Sequence, residues 1–359
     1  MKIMFEICHP GHVHYFRNLI DQLTKRGHQV KILAQNRGII PQLLDKYNLP
    51  YTLFPNLPKG IWGKLLFIPY IDMIFYKHAR EFKPDMLMGF GGAYISHVGW
   101  LIGKPGVVLD DTDIAKWSHA AYKKFASAIL TPTCFNKDFG KKHIRFDSYM
   151  EMCYLHPNYF KLDENVKKNI ESSSKKTILL RFVSWRAHHD IGQNGISANL
   201  KFELINELKD KYNLIISSEE NLPEELAKYQ YKFPPDKMHS LLASIDLFIG
   251  EGATMASECV MLGTPAVYIN SLQCTTLLEQ QKKYSLVYNF PNSDGVLQTV
   301  KEILNTPDLA AKNINNRGRL VKEKIDLTAF LLWFVENYPT SFKTMKSDPN
   351  YQYQFRQVL

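Results

Sequence analysis

Short apolar runs and longer amphipathic ones take turns along this chain. Lys2 to Cys8 is a β-rich run; beyond the break at His9-Pro10-Gly11 the apolar positions become Val13, Phe16, Leu19, Ile20 and Leu23, the spacing of one helix face. Gly27 stops that helix, and Gln29 to Ala34 reads as the next strand. Further strands are predicted at Tyr51 to Phe54, Asp85 to Gly89, Gly106 to Leu109 and Ala128 to Leu130, separated by turn residues or helical stretches. This alternation predicts a parallel sheet covered on both faces.

Asp163 to Lys176 is rich in Lys, Asn, Ser and Glu and poor in large apolar residues, the composition of a domain boundary. The alternation then restarts with a strand at Thr177 to Phe182, a helix near Asn199 to Lys211 and a strand at Asn213 to Ser217. Strands at Asp246 to Gly250 and Pro265 to Ile269 flank a helix from Ala253 to Leu262, and Asp326 to Tyr338 forms a last amphipathic helix. Within Leu57 to Lys83, Pro69 is expected to interrupt any single helix. The fold class predicted is α/β, with two doubly wound, Rossmann-like domains in tandem. Their expected extents are 1–165 and 166–335, followed by a short tail, 336–359.

At 359 residues the chain has room for two domains of about 150 each. Apolar residues make up 45% and charged residues 22%, which excludes a disordered or fibrous chain. Uninterrupted apolar stretches such as Leu65 to Ile71 fall far short of the ~18 residues of a membrane-spanning helix. The N-terminal run leads directly into His9-Pro10-Gly11 rather than to a small-residue cleavage site. Five scattered cysteines form no CxxC pair, as expected of a reduced, cytoplasmic protein without a disulfide frame or structural zinc. The net charge of +9 suits phosphorylated substrates, anionic lipid or nucleic acid. With no zinc-finger spacing or RNP-type aromatic motif, nucleic acid is not an expected partner. Residues 57–83 mix aromatic and aliphatic side chains with five basic and two acidic ones, a pattern suited to contact with the inner face of the cytoplasmic membrane or to an ordinary pair of core helices.

Ligands of doubly wound sheets bind beyond the carboxyl ends of the strands. Five predicted strand ends carry polar or glycine-rich loops: HPGHVH, FGGAY, DDTD, RFVSWRAHHD and GEGATMASE. In the last, Gly250 and Gly252 permit a tight turn beside Glu251, Thr254 is placed to cap the following helix, and the helix N-terminus offers N–H groups to an anion. Glu258, one turn further on, is a candidate acceptor for the vicinal hydroxyls of a ribose. Arg181 and Arg186 offer phosphate donors, Ser184 a hydroxyl, Trp185 a stacking face and His188 a further polar contact. His12, at a helix N-terminus, is a candidate base with His14 as its competitor, and Asp111 a candidate carboxylate partner. Asp110, Asp111 and Asp113 are crowded enough to push at least one pKa upward. A zinc reading of His9, His12 and His14 with His188, His189 and Asp190 matches no closed-site spacing. Each of these residues also has a plain structural reading as a cap, a core side chain or a solvated loop.

The run GEGATMASECVMLGTPAVYIN resembles the donor-binding segment of GT-B glycosyltransferases and of the related non-hydrolysing sugar-nucleotide 2-epimerases. That resemblance implies that Glu258 binds the nucleotide ribose and that Gly252, Ala253 and Thr254 face the diphosphate. It also implies that the loop from Arg181 to His188 contacts the diphosphate or sugar, and that Glu279 or Gln280 points toward the donor sugar. HPGHVHYFRNLIDQLTKRGHQV resembles the first strand–loop–helix of bacterial GT-B enzymes such as the N-acetylglucosaminyltransferase of peptidoglycan precursor synthesis. Over most of its length, including AHHDIGQ, MHSLLASIDLFIGEGATMASE and the final aromatic helix, the chain resembles a bacterial and archaeal GT-B-like family of unassigned function. The expectation is a metal-independent glycosyltransferase without a cofactor. It would use a nucleotide-sugar donor, UDP-linked, and a surface-polysaccharide or glycolipid precursor as acceptor. The C-terminal helix would cross back to the first domain. The alternatives are a 2-epimerase, against which HPGH lacks the expected arginine, and a non-catalytic sugar-nucleotide binder.

Overall fold

The computed structural model describes residues 1–56, 58, 61–171, 175–182, 195–218, 222–231 and 233–356, with 61–66 and 171 described by backbone alone. The chain divides into two compact units, Met1–Tyr154 with Lys324–Leu359, and Leu155–Glu323. These divisions fall earlier than the expected 165/166 and 335/336. The helix Leu327–Glu336 packs on the helix Pro10–Lys25, and Thr328 Oγ1 donates to Cys153 O at 2.9 Å, so this helix belongs to the first unit, and a further helix, Thr340–Ser347, follows it. Asp163 accepts from Lys237 and, through its backbone N–H, donates to Ser240 Oγ, which ties it to the second unit.

The first unit holds seven parallel strands: β1 Lys2–Ile7, β2 Gln29–Gln35, β3 Tyr51–Phe54, β4 Met86–Phe90, β5 Gly106–Leu109, β6 Ala128–Pro132 and β7 His143–Phe146. Their order is β3-β2-β1-β4-β5-β6-β7, so the winding reverses between β1 and β4, where Glu6 is in register with Gly89. β7 is a short edge strand with alternating polar residues, which is why apolar patterning does not announce it. The helix Ile61–Phe82 runs unbroken through Pro69, contrary to the expected interruption. Ile71, Phe75 and Ala79 bury one face of the helix at four-residue spacing, and that packing outweighs the hydrogen bond a proline forgoes. The C-terminal tail is also ordered: Asp326 caps the Leu327–Glu336 helix through Ala329 N, and Trp333 packs on Tyr351 and Phe355.

The second unit holds β8 Thr177–Phe182, β9 Asn213–Ser218, β10 Leu247–Gly250, β11 Ala266–Ile269 and β12 Val287–Phe290, all parallel, in the order β12-β11-β10-β8-β9. The winding reverses between β8 and β10, where Arg181 is in register with Gly250. Leu180, Phe182, Ile216, Leu247, Ile249 and Val267 are among the buried residues of its core. Both expected sheets are present, each with one reversal of strand order, the place where such sheets bind ligands.

Candidate functional site

At the reversal in the first sheet, β1 ends on a carboxylate. Glu6 is 3% exposed; its Oε2 accepts from Ile95 N at 3.1 Å and its Oε1 from the Cys8 thiol at 3.3 Å. The first bond supplies an acceptor to the N-terminus of the helix Ala93–Leu101. Gly92 leaves the room: a Cβ there would stand 2.7 Å from Ile95 Cγ1 and 3.3 Å from Glu6 Oε2. Burial raises the Glu6 carboxyl to about 7 against the opposing pull of those hydrogen bonds. Glu6 is a candidate that sequence reasoning missed. Its signal was a lone acid in an otherwise apolar strand.

His9 caps the helix Pro10–Lys25 by accepting from Gly11 N, with Pro10 in the first turn. His12 follows, 8% exposed, its ring 5.0 Å from that of Phe90 at the end of β4. Burial, reinforced by His9 and Arg37, holds its pKa down at about 3, so the ring is neutral across the physiological range. Cys8 N donates to its Nδ1 at 3.3 Å, which places the proton of the neutral ring on Nε2. His12 is therefore arranged to donate a hydrogen bond, whereas the sequence reading made it a base. His14 lies on another face of the helix, its ring 5.2 Å from Tyr154 and 5.8 Å from Tyr47.

Beyond β5, Asp110 is buried and accepts from Thr112 N and from the Tyr122 hydroxyl, and it pairs with His119 at 3.3 Å. The carboxylate–histidine pair of this loop is thus Asp110 with His119, rather than Asp111 with His12. Asp111 is half-buried and accepts from the Thr112 hydroxyl at 3.1 Å. Burial, with Asp110 and Asp113 close by, raises its carboxyl to about 7. Asp113 accepts from Asn136 N. Among the described residues, no group of three or more His, Cys, Asp and Glu side chains is placed to hold a metal ion.

At the reversal in the second sheet, Gly250 ends β10 and Gly252 is the N-cap of the helix Ala253–Leu262. No side chain caps this helix; Thr254 lies inside its first turn and is exposed, so the expected threonine cap is corrected to a glycine one. Ala253 and Gly252 are partly exposed beside it. Glu251 turns from the helix end to accept from Ile196 N at 2.7 Å. Gly195 makes that reach possible, since a Cβ on it would stand 2.1 Å from Glu251 Oε1. Glu251 thereby pins the residues that lead into the helix Ala198–Leu208.

Glu258 is 6% exposed, and its Oε1 lies 3.0 Å from Nε2 of His239, itself 5% exposed on the helix Met238–Ser244. His239 is the second residue that sequence reasoning missed, because nineteen residues separate the pair and only packing of the two helices unites them. On the adjoining helix Thr275–Tyr284, Gln280 is fully buried and donates from Nε2 to Ser257 Oγ at 2.8 Å, one residue before Glu258. Glu279 is instead engaged with Lys283 at 3.1 Å on the same helix. Arg181, at the end of β8, donates to Ser217 Oγ at 2.9 Å. Ser184, Trp185, Arg186 and His188 lie outside the described residues, as do His189 and Asp190.

The fold recurs among known proteins. Over 145 residues the chain is 28% identical to the UDP-N-acetylglucosamine–N-acetylmuramyl-(pentapeptide) pyrophosphoryl-undecaprenol N-acetylglucosamine transferase of Marinobacter nauticus, covering 37% of this chain and 39% of that protein. Among solved structures, the UDP-GlcNAc 2-epimerase of Neisseria meningitidis bound to UDP-GlcNAc superposes with a TM-score of 0.68 at 13% identity, covering 94% of this chain and all of that one. The spinosyn rhamnosyltransferase SpnG complexed with spinosyn aglycone superposes with a TM-score of 0.63 at 13% identity, with the same coverage. The fold is that of GT-B glycosyltransferases and UDP-GlcNAc 2-epimerases. Residues 1–339 match one family model throughout, and the chain belongs to DUF354, a family of proteins of unknown function.

Proposed function

We propose that this chain is a glycosyltransferase that takes a nucleotide-sugar donor, UDP-linked, and passes the sugar to a hydroxyl of a glycan or glycolipid precursor, without a metal. The observation that carries this reading is Glu258. It is a buried carboxylate held by His239, one turn behind a glycine-capped helix end at the reversal of the second sheet. A carboxylate there accepts two bonds from a ribose diol, and the free N–H groups of the helix end suit the diphosphate. The name of the Marinobacter relative, a UDP-N-acetylglucosamine-dependent transferase, supports the donor class. Gln280, through Ser257, stiffens the same helix.

In the first unit, Asp111 is the base. A carboxyl poised at about 7 can take the acceptor proton near neutral pH, whereas His12 gives a hydrogen bond from Nε2. The exposed Met73, beside Trp100 and Leu101, and the exposed Tyr70 on the same helix are proposed to touch the lipid that carries the acceptor. Among the described residues, no helix is long and apolar enough to cross a membrane. A second reading, 2-epimerisation of a UDP-sugar, is supported by the fold the chain shares with the UDP-GlcNAc 2-epimerase of Neisseria meningitidis.

The test is incubation of the protein with UDP-sugars, with and without a membrane-lipid extract, followed by mass spectrometry and sugar analysis. Transfer predicts UDP release that depends on the extract; epimerisation predicts a changed sugar still bound to UDP without it. Asp111→Asn should lower kcat by about 10²-fold or more, and the rate of the native chain should rise with pH through about 7. Neither product, from folded protein, contradicts both readings.

A further inference from the structure

Below the Asp110 loop, the helix Lys116–Tyr122 and the turn after β6 border an open hollow of about 630 Å³ lined by Lys116, His119, Lys123, Lys124, Lys137 and Asp138, with Phe139 beside them. Four lysines line one space, and among the described residues none of them forms an ion pair with a carboxylate. The one acid of the lining, Asp138, meets His143 Nδ1 at 3.1 Å and accepts from Gly140 N at 2.9 Å, both through Oδ1. The floor is built. His119 is 4% exposed and locked at both nitrogens: Nε2 donates to Thr112 O and Asp110, and Nδ1 accepts from the Lys137 ammonium at 3.0 Å. The rim is fixed too, because Lys142 Nζ donates to the carbonyls of Lys123 and Lys124 at the end of the helix. Like charges lining one space repel one another unless an anion joins them.

We propose that this hollow is a binding site for a phosphate-bearing ligand, with Lys116, Lys123, Lys124 and Lys137 as its donors. It is separate from the nucleotide site assigned to the second unit. Through Lys137, His119 and Asp110 it is wired to the loop that holds Asp111. Phosphate oxygens take several ammonium donors at once, and the hollow has the volume of a small-ligand pocket. The phosphate can belong to a free phosphorylated molecule or to a lipid headgroup, because the recognition chemistry is the same.

Pyrophosphate, titrated into the full chain at about 0.15 M salt so that diffuse surface attraction is screened, is the probe, with the histidine ring nitrogens followed by NMR. Saturable binding should shift the His119 signals. It should weaken about tenfold or more in Lys116→Met/Lys124→Met and stay unchanged in Lys209→Met/Lys211→Met, two lysines removed from the second unit. Lys123→Met/Lys124→Met repeats the test should the first pair fail to fold. The His119 shift should persist in Glu258→Gln, which separates this site from the donor reading. Vesicles of phosphatidylglycerol, compared with phosphatidylcholine, identify the source. Capture by the anionic vesicles alone, lost in the lysine variant and reversed by pyrophosphate, marks a headgroup; pyrophosphate binding without capture marks a free ligand. Unmoved His119 signals, or equal weakening in both double variants, would overturn the proposal.

Discussion

Glu6 meets the physics of burial in its plainest form. Its carboxyl titrates at about 7 in the folded chain against an ordinary value of 4.5, so between those values the folded state holds a proton that the unfolded state has released. The sign follows: its contribution is full below about 4.5 and is lost as pH rises through about 7, a swing on the order of 3 kcal/mol. Urea unfolding at pH 5 and pH 8 should show a larger loss in the native chain than in Glu6→Gln, which keeps an acceptor for Ile95 N and retains the share of the loss that Asp111 contributes. An identical pH dependence in the two proteins contradicts this assignment. His239 is the corresponding test in the second unit. Replacing it with alanine leaves the buried Glu258 carboxylate without the imidazole and should cost about 1–3 kcal/mol, read as a lowered midpoint of thermal unfolding. At this scale the sequence offered candidate residues but seldom what they touch. The Glu258 carboxylate was legible from its place after a glycine turn, its histidine partner was not, and the two roles expected of His12 and Asp111 were separated by one backbone bond, Cys8 N to His12 Nδ1.

Elements were more legible than contacts, because a strand buried on both faces and an amphipathic helix each leave a period in the sequence. Strands β1 to β6 and β8 to β11 lie where the apolar runs predict them. The strands not predicted, β7 and β12, are four-residue edges with polar positions, where partner strands rather than propensity supply the structure. Pro69 shows the same override from tertiary packing, since the buried residues beyond it keep the Ile61–Phe82 helix continuous. The helix Leu327–Glu336 carries a further prediction. Leu331 is fully buried on a helix that packs against Pro10–Lys25, so Leu331→Ala should destabilise the first unit by about 2–5 kcal/mol. Unfolding followed by the fluorescence of Trp333, on that same helix, checks it. A shift below about 1 kcal/mol would mean that the C-terminal segment contributes little to this core.

On the scale of the whole molecule, two sheets, each with a single reversal of strand order, place glycine turns, helix ends and buried acids at corresponding positions, although the chemistry at the two differs. The first reversal carries groups that titrate near neutrality, Glu6 and, one loop further, Asp111; the second carries a paired carboxylate behind a glycine-capped helix end. Under the proposed function, acid–base work belongs to one unit and nucleotide recognition to the other. The central claim rests on Glu258 and is tested most directly by calorimetric titration of the native chain and of Glu258→Ala with UDP, beside GDP, CMP and ADP. Saturable binding of UDP by the native chain, weakened about tenfold or more in the variant while the unfolding midpoint shows it folded, is the predicted result. Binding of none of the four nucleotides by folded native protein, or equal affinity in the variant, would contradict the account.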